Sequence, residues 1–308
     1  MSIARQPRSA ILRRWIPAVF LSVFLVLGLL ELGLRFTSAA FIDEALPTFS
    51  RVSGIRLLCV GDSYVYGIGA KSQFSYPAQL QSLLDRRFGR GVCVVDNFGR
   101  PGQNSSEAVV RLNALFSRGY RADFALITIG ANNAWNWRLA TPFLPGDDAL
   151  AKLQAAFSRS RVYRLFAVAL TGGPRAAAKF WIANDARDVS REWDRRFVNS
   201  HRAWLSRWLK SDLTALGRLC VQYGAQPILA AYHDSAEYLT QANDQTAAEN
   251  TWPNIDFRCF GRPDCENNAD LLSSDGWHPN EKGYALIARV VGEAMIPLIE
   301  KKRSSTSP

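Results

Sequence analysis

Ile55-Arg56-Leu57-Leu58-Cys59-Val60-Gly61-Asp62-Ser63-Tyr64 is the stretch whose reading decides the fold. Its first part, Ile55 to Val60, is a short apolar run closed by a glycine, and it reads as a buried strand rather than a helix. A helix from about Tyr76 to Arg87 follows. The alternation then repeats: Val92 to Asn97 as a strand, about Ser105 to Ser117 as a helix, and Ala122 to Ile129 as a strand. A helix ending near Tyr223 leads to a fourth strand, Pro227 to Tyr232, and a helix from about Asn280 to Ile299 closes the chain. Strands alternating with helices predict an α/β fold whose mainly parallel sheet is covered on both faces. Between Ala134 and about Val189 the alternation breaks into an insertion of mixed helical character that includes Ala149 to Ala156 and Val162 to Lys179. Its residues Trp135, Trp137 and Trp181 read as core packing of the insertion, with a lid or substrate-stacking surface as the other reading.

The chain has 308 residues, 48% hydrophobic and 21% charged, which is enough to bury a full core. The formal charge of +10 suggests nucleic acid at first sight. Seven of the cations, Arg5, Arg8, Arg13, Arg14, Lys301, Lys302 and Arg303, lie at the two ends, and setting them aside lowers the charge to +3. With no basic stripe interleaved with aromatics, nucleic-acid binding is not expected. From Trp15 to Leu30 there is no charge, and with Glu31 counted as an interface residue the run reaches Leu34. At about 1.5 Å per residue such a helix spans roughly 30 Å, the thickness of a bilayer core. The preceding arginines predict a cytoplasmic N-terminus and place the chain beyond Arg35 on the extracytoplasmic side. A cleaved signal peptide, with Ser38-Ala39-Ala40 as the small-residue site, is the competing reading, and the length of the apolar run favours an uncleaved anchor.

Cys59 and Cys93 lie in apolar strand-like runs and Cys220 in a helical pattern, where a cysteine acts as a small core residue. Cys259 and Cys265 stand in a polar loop containing Pro and Gly, where an oxidising compartment would permit a local disulfide. No CxxC or HxxxH spacing occurs, so neither zinc nor another metal is expected.

Ligands of open parallel sheets bind at the carboxyl ends of the strands, so the residues there come first. Gly61-Asp62-Ser63-Tyr64 follows the first strand, Asn97-Phe98-Gly99-Arg100-Pro101-Gly102 the second, Gly130-Ala131-Asn132-Asn133 the third, and Asp275-Gly276-Trp277-His278-Pro279 lies near the C-terminus. Ser63 is a hydroxyl on a tight turn, able to attack once a base takes its proton. His278 is the candidate base, and Asp275 could bind its Nδ1–H and leave Nε2 facing the serine. The backbone N–H groups of Ser63 and Gly102 and the Asn132 amide are donors of the kind an oxyanion hole requires. Any one of these residues alone would be a turn or a cap. Their joint placement at strand ends carries the reading, whereas His201 and His233 lack such company and are assigned to structure.

These four blocks make the sequence resemble the SGNH, or GDSL, hydrolase superfamily from about Ile55 to Ile299. Tyr64-Val65-Tyr66-Gly67, Tyr76-Pro77 and Asn280-Glu281-Lys282-Gly283-Tyr284 are similar to the family's usual context. The resemblance implies a three-layer, flavodoxin-like fold and cofactor-free hydrolysis through an acyl-serine, with Ser63, Asp275 and His278 as catalytic residues. It implies an oxyanion hole of Ser63, Gly102 and Asn132. One departure stands out: the third block commonly ends in Asp, and Asn133 takes that place, which bears on the geometry of the loop. No Gly-x-Ser-x-Gly elbow is present, since Val65 occupies the second glycine position.

The resulting organisation is a basic cytoplasmic segment at 1–14, an anchor at 15–34, a linker at 35–52, a hydrolase domain at 53–300 and a tail at 301–308. The expected activity is extracytoplasmic hydrolysis of O-acyl, chiefly acetyl, esters on a cell-surface glycan or lipid. Membrane-tethered relatives also act as O-acyltransferases beside a membrane acyl-donor partner, which is the second reading. A catalytically inactive binding module is the third.

Overall fold

The structure is a computed structural model that describes residues 8–44, 54–134, 136, 160, 162, 187–232, 237–257 and 268–306. The chain divides into two compact units, one formed by Met1–Leu46 with Ala149–Asp185, the other by Pro47–Asp148 with Ala186–Pro308. In the first unit, helix α1 (Arg8–Glu44) continues ten residues beyond the anchor segment expected at 15–34. Within it, Pro17–Leu34 has a mean hydropathy of 2.2 and is long and apolar enough to cross a membrane or to serve as a signal sequence. Glu31 accepts hydrogen bonds from the Ser160 hydroxyl and the Val162 N–H, both at 3.0 Å.

The second unit is built on a parallel sheet. Its strands are β1 (Ile55–Gly61), β2 (Cys93–Gly99), β3 (Phe124–Thr128), β4 (Gln226–Ala230) and β5 (Asn254–Ile255). They lie in the order β2-β1-β3-β4-β5, and every pairing is parallel. β3 is buried along its whole length, as is β1 from Leu57 onward, because helices cover both faces; this is why both read as apolar runs without alternation. After β1 the chain moves first to β2 on one side and then to β3 on the other. The reversal opens a crevice at the carboxyl end of β1.

The helices are α2 (Ser63–Tyr66), α3 (Tyr76–Phe88), α4 (Ser105–Ser117), α5 (Arg187–Gln222), α6 (Glu237–Asn250) and α7 (Glu281–Thr306). Asn104 and Glu107 form a capping box at the start of α4. Asn280 caps α7 by accepting from the Lys282 and Gly283 N–H groups at 2.9 and 3.1 Å. Contacts between α7 and α3 are close: a Cβ at Gly292 would lie 2.9 Å from a Leu83 methyl. The helix also runs on through the stretch expected as a tail. Lys302 reaches Asp123 at 3.1 Å and the Arg303 guanidinium lies 5.5 Å from the Phe88 ring centroid, so these cations touch the domain while staying open to solvent.

Cys59, Cys93 and Cys220 are free, buried thiols, as their apolar surroundings imply. The helices expected within the insertion, Trp135, Trp137, Trp181, His233, Cys259 and Cys265 lie outside the described residues. His201 falls within the span of α5.

Candidate active site

Ser63 begins α2 directly after β1, and a tight turn forces it there. A Cβ at Gly61 would lie 2.2 Å from both the Thr128 carbonyl oxygen and a Val65 methyl, and one at Gly99 would lie 2.2 Å from the Tyr66 nitrogen. Only glycine lets β1, β2 and the turn meet this closely. Asp62 caps the turn, accepting the Tyr64 N–H at 3.0 Å, and Gly67 ends it in the left-handed region at φ 102°.

The partner of Ser63 arrives from the far end of the chain. The segment before α7 folds back on itself through the Leu272–Pro279 bridge, with the Ser273 N–H donating to the His278 carbonyl at 2.8 Å. His278 Nε2 lies 2.9 Å from Ser63 Oγ, and its Nδ1 lies 2.6 Å from Asp275 Oδ2. An Nδ1–H donating to the carboxylate leaves Nε2 as acceptor for the serine hydroxyl, the tautomer a base requires. Asp275 Oδ1 accepts from the Ser273 hydroxyl and from the Trp277 and His278 N–H groups. Partial burial works against the charge on Asp275, but these donors and the imidazole outweigh it and hold the carboxyl well below its ordinary range.

Gly102 and Asn132 come from the neighbouring strand ends. Among the described residues, the backbone N–H groups of Ser63 and Gly102 have no protein acceptor. Asn132 Nδ2 donates to the Gln103 carbonyl at 2.9 Å and makes a longer contact of 3.3 Å with Asp62 Oδ2. Asp62 is buried, which pushes its carboxyl up to about 6 against the opposing pull of the Tyr232 hydroxyl and the Tyr64 N–H. All the residues singled out in the sequence therefore converge here: Ser63, His278 and Asp275 in one chain of hydrogen bonds, with Gly102 and Asn132 beside it. Among the described residues, no group of three or more His, Cys, Asp or Glu side chains could hold a metal ion.

Two braces that sequence patterns do not mark hold the Asn132 loop. Asn136 donates to the Gly102 carbonyl at 2.7 Å and to Glu107 Oε2 at 2.8 Å, while its own carbonyl accepts from Asn104 at 2.6 Å. It thus ties the Gly102 turn to the Asn132 turn. Asn133, standing where the resemblance led one to expect Asp, accepts the Ser105 N–H at 3.0 Å and donates to Ser105 Oγ at 2.7 Å. The negative charge sits one step further on: Asp212 of α5 accepts from the Ser105 and Ser106 hydroxyls at 2.6 and 2.7 Å, and Trp208 Nε1 donates to Ser106 Oγ at 2.8 Å. The loop keeps a fully paired network despite the amide.

The model of the GDSL-like lipase/acylhydrolase family matches residues 59–286. No curated protein matches the chain. Among solved structures it is similar to the psychrotrophic esterase EstA from Pseudoalteromonas sp., at 17% identity over 80% of this chain and 98% of that one, with a TM-score of 0.48. Similarity to the lipase/acylhydrolase from Enterococcus faecalis is 16% identity over 78% and 95% of the two chains, with a TM-score of 0.46. A two-domain esterase active on acetylated mannans is similar at 14% identity, with 80% of this chain and 50% of that one covered and a TM-score of 0.48.

Proposed function

Since the chain belongs to the GDSL-like lipase/acylhydrolase family, and is an esterase of that kind, we propose that Ser63 is its nucleophile and that it removes O-acyl, chiefly acetyl, groups from a cell-surface glycan or lipid outside the cytoplasm. The observation that carries this is the hydrogen-bond chain from Ser63 through His278 to Asp275, 2.9 and 2.6 Å long.

His278 Nε2 takes the hydroxyl proton as Ser63 Oγ bonds to the ester carbonyl carbon, and the carbonyl electron pair moves onto oxygen. The N–H groups of Ser63 and Gly102 and the Asn132 amide hold that oxyanion. Collapse of the tetrahedral intermediate breaks the bond to the alcohol, which leaves with the proton from His278. Water then attacks the acyl-serine, giving its proton to His278, and the second collapse releases the carboxylic acid and returns the proton to Ser63. Asp275 fixes the imidazole tautomer and stabilises the imidazolium in both halves.

The placement outside the cytoplasm rests on the apolar segment Pro17–Leu34 and the arginines before it. An enzyme anchored there meets glycans and lipids of the surface first. The decisive variant is Ser63→Ala in the detergent-solubilised full chain, assayed on a short aryl ester. Hydrolysis should fall at least about a thousandfold; full activity would refute the assignment. Incubation with an acetylated glycan then separates release of acetate to water from transfer to a second glycan. Transfer, with the acyl group supplied by a membrane partner, would make the enzyme an O-acyltransferase using the same residues.

A further inference from the structure

Tyr232 lies just past the end of β4, fully buried, in a place that no motif marks. Its hydroxyl donates to Asp62 Oδ2 at 2.5 Å and accepts the Ala131 N–H at 3.3 Å. Its ring meets Tyr64 edge-on with centroids 5.3 Å apart and lies tilted against Trp277 at 6.3 Å. Asp62, Ala131 and Trp277 immediately precede Ser63, Asn132 and His278 in the chain. One side chain therefore touches the residue before the nucleophile, the residue before the oxyanion amide and the residue before the base.

Asn132 Nδ2 has two hydrogens to give. One is committed to the Gln103 carbonyl at 2.9 Å, and the other faces Asp62 Oδ2 at 3.3 Å, a long contact for an amide and a carboxylate. The same carboxylate oxygen already holds the short bond from Tyr232. We propose that Tyr232 is a positioning residue of the oxyanion hole: by donating to Asp62 it keeps that carboxylate from capturing the Asn132 amide, and so leaves one Asn132 N–H to the developing oxyanion. Its hydroxyl oxygen adds a second hold on the loop through Ala131. This inference rests on ester hydrolysis at Ser63.

Tyr232→Phe removes the hydroxyl and keeps the ring contacts. In the detergent-solubilised full chain acting on p-nitrophenyl acetate, kcat should fall about tenfold or more, with KM unchanged within about twofold, because the lost interaction acts on the transition state. On an Asn132→Ala background the same change should cost less than about threefold, since the two residues act as one unit. The pH profile supplies a readout that a merely structural role would not move. Tyr232 from just beyond β4, His278 from the C-terminal turn and the Tyr64 N–H from α2 all lower the Asp62 pKa, and Tyr284 of α7 faces the same carboxylate. Loss of the hydroxyl should therefore raise the Asp62 pKa, and because the proposal makes turnover depend on the state of that carboxylate, a limb of the kcat profile should move to higher pH with it. Tyr120→Phe is the control: it deletes another hydroxyl bonded to a carboxylate, Asp96 at 2.7 Å, and should leave kcat and the pH profile unchanged. The proposal is overturned if Tyr232→Phe keeps wild-type kcat, if its loss multiplies in full with that of Asn132→Ala, or if Tyr120→Phe behaves the same way. Failure of the underlying reading looks different, because Ser63→Ala would then remain active.

Discussion

Replacing Asp212 by alanine should destabilise the catalytic unit by about 3 kcal/mol. In the native protein, N–H donors from Asn133 and Trp208 feed the Ser105 and Ser106 oxygens, whose hydroxyl hydrogens then point to Asp212 Oδ2 at 2.6 and 2.7 Å. Alanine leaves both hydroxyl hydrogens without an acceptor in a buried site. Two charge-assisted bonds at about 1.5–3 kcal/mol each set an upper bound of about 6 kcal/mol. Relief of the carboxylate's burial, which raises the Asp212 pKa, returns part of that. At about 2–4 °C per kcal/mol for a domain of this size, the melting temperature should drop by about 6–12 °C. Asp212→Asn keeps an oxygen acceptor and should lose about half as much. The pH dependence has a defined sign, because an acid whose folded pKa is raised contributes stability below its unfolded value and loses it as pH rises. The gap between wild type and Asp212→Asn should therefore narrow as pH rises from about 4 through the folded pKa. Melting curves of the solubilised chain across that range measure both effects. An Asp212→Ala protein melting within about 2 °C of wild type would show that the network does not hold the loop.

Asn132→Ala should slow kcat about a hundredfold to a thousandfold, equivalent to the roughly 2.7–4 kcal/mol supplied by one oxyanion donor, and steady-state kinetics on a short ester would check it. Equal turnover would remove Asn132 from the oxyanion hole. Gly99→Ala should abolish folded protein, because its Cβ would lie 2.2 Å from a backbone nitrogen that cannot swing away; soluble, fluorophosphonate-reactive Gly99→Ala protein would contradict this.

Much of the site was legible because three of its four blocks follow strands of the sheet, and the two buried on both faces, β1 and β3, declare themselves as apolar runs. β5 is two residues long and offers no period to read. α6 carries mostly small and polar residues along Glu237–Asn250, so its buried face, built on Tyr238, Leu239, Ala242 and Ala247, leaves little amphipathic signal. Asn136, Asp212 and Tyr232 were invisible for a different reason. Their importance lies in partners far along the chain, as with Asp212 and Ser105, 107 positions apart, and no local spacing encodes such a pairing. Asn133 read as a departure because the sequence presents the amide without the α5 carboxylate that completes its network.

The hydrogen bond between Ser63 and His278 joins positions 215 residues apart, and this imposes an order on the enzyme's biogenesis. Synthesis runs from the N-terminus, so the serine, Gly102, Asn132 and the strands β1 to β5 of the described sheet are made before the histidine. A nascent chain, or one truncated ahead of Asp275, carries the proposed nucleophile and oxyanion donors but lacks the proposed base. On the proposed reading, activity waits for the turn that carries His278, which lies between the Leu272–Pro279 bridge and the start of α7.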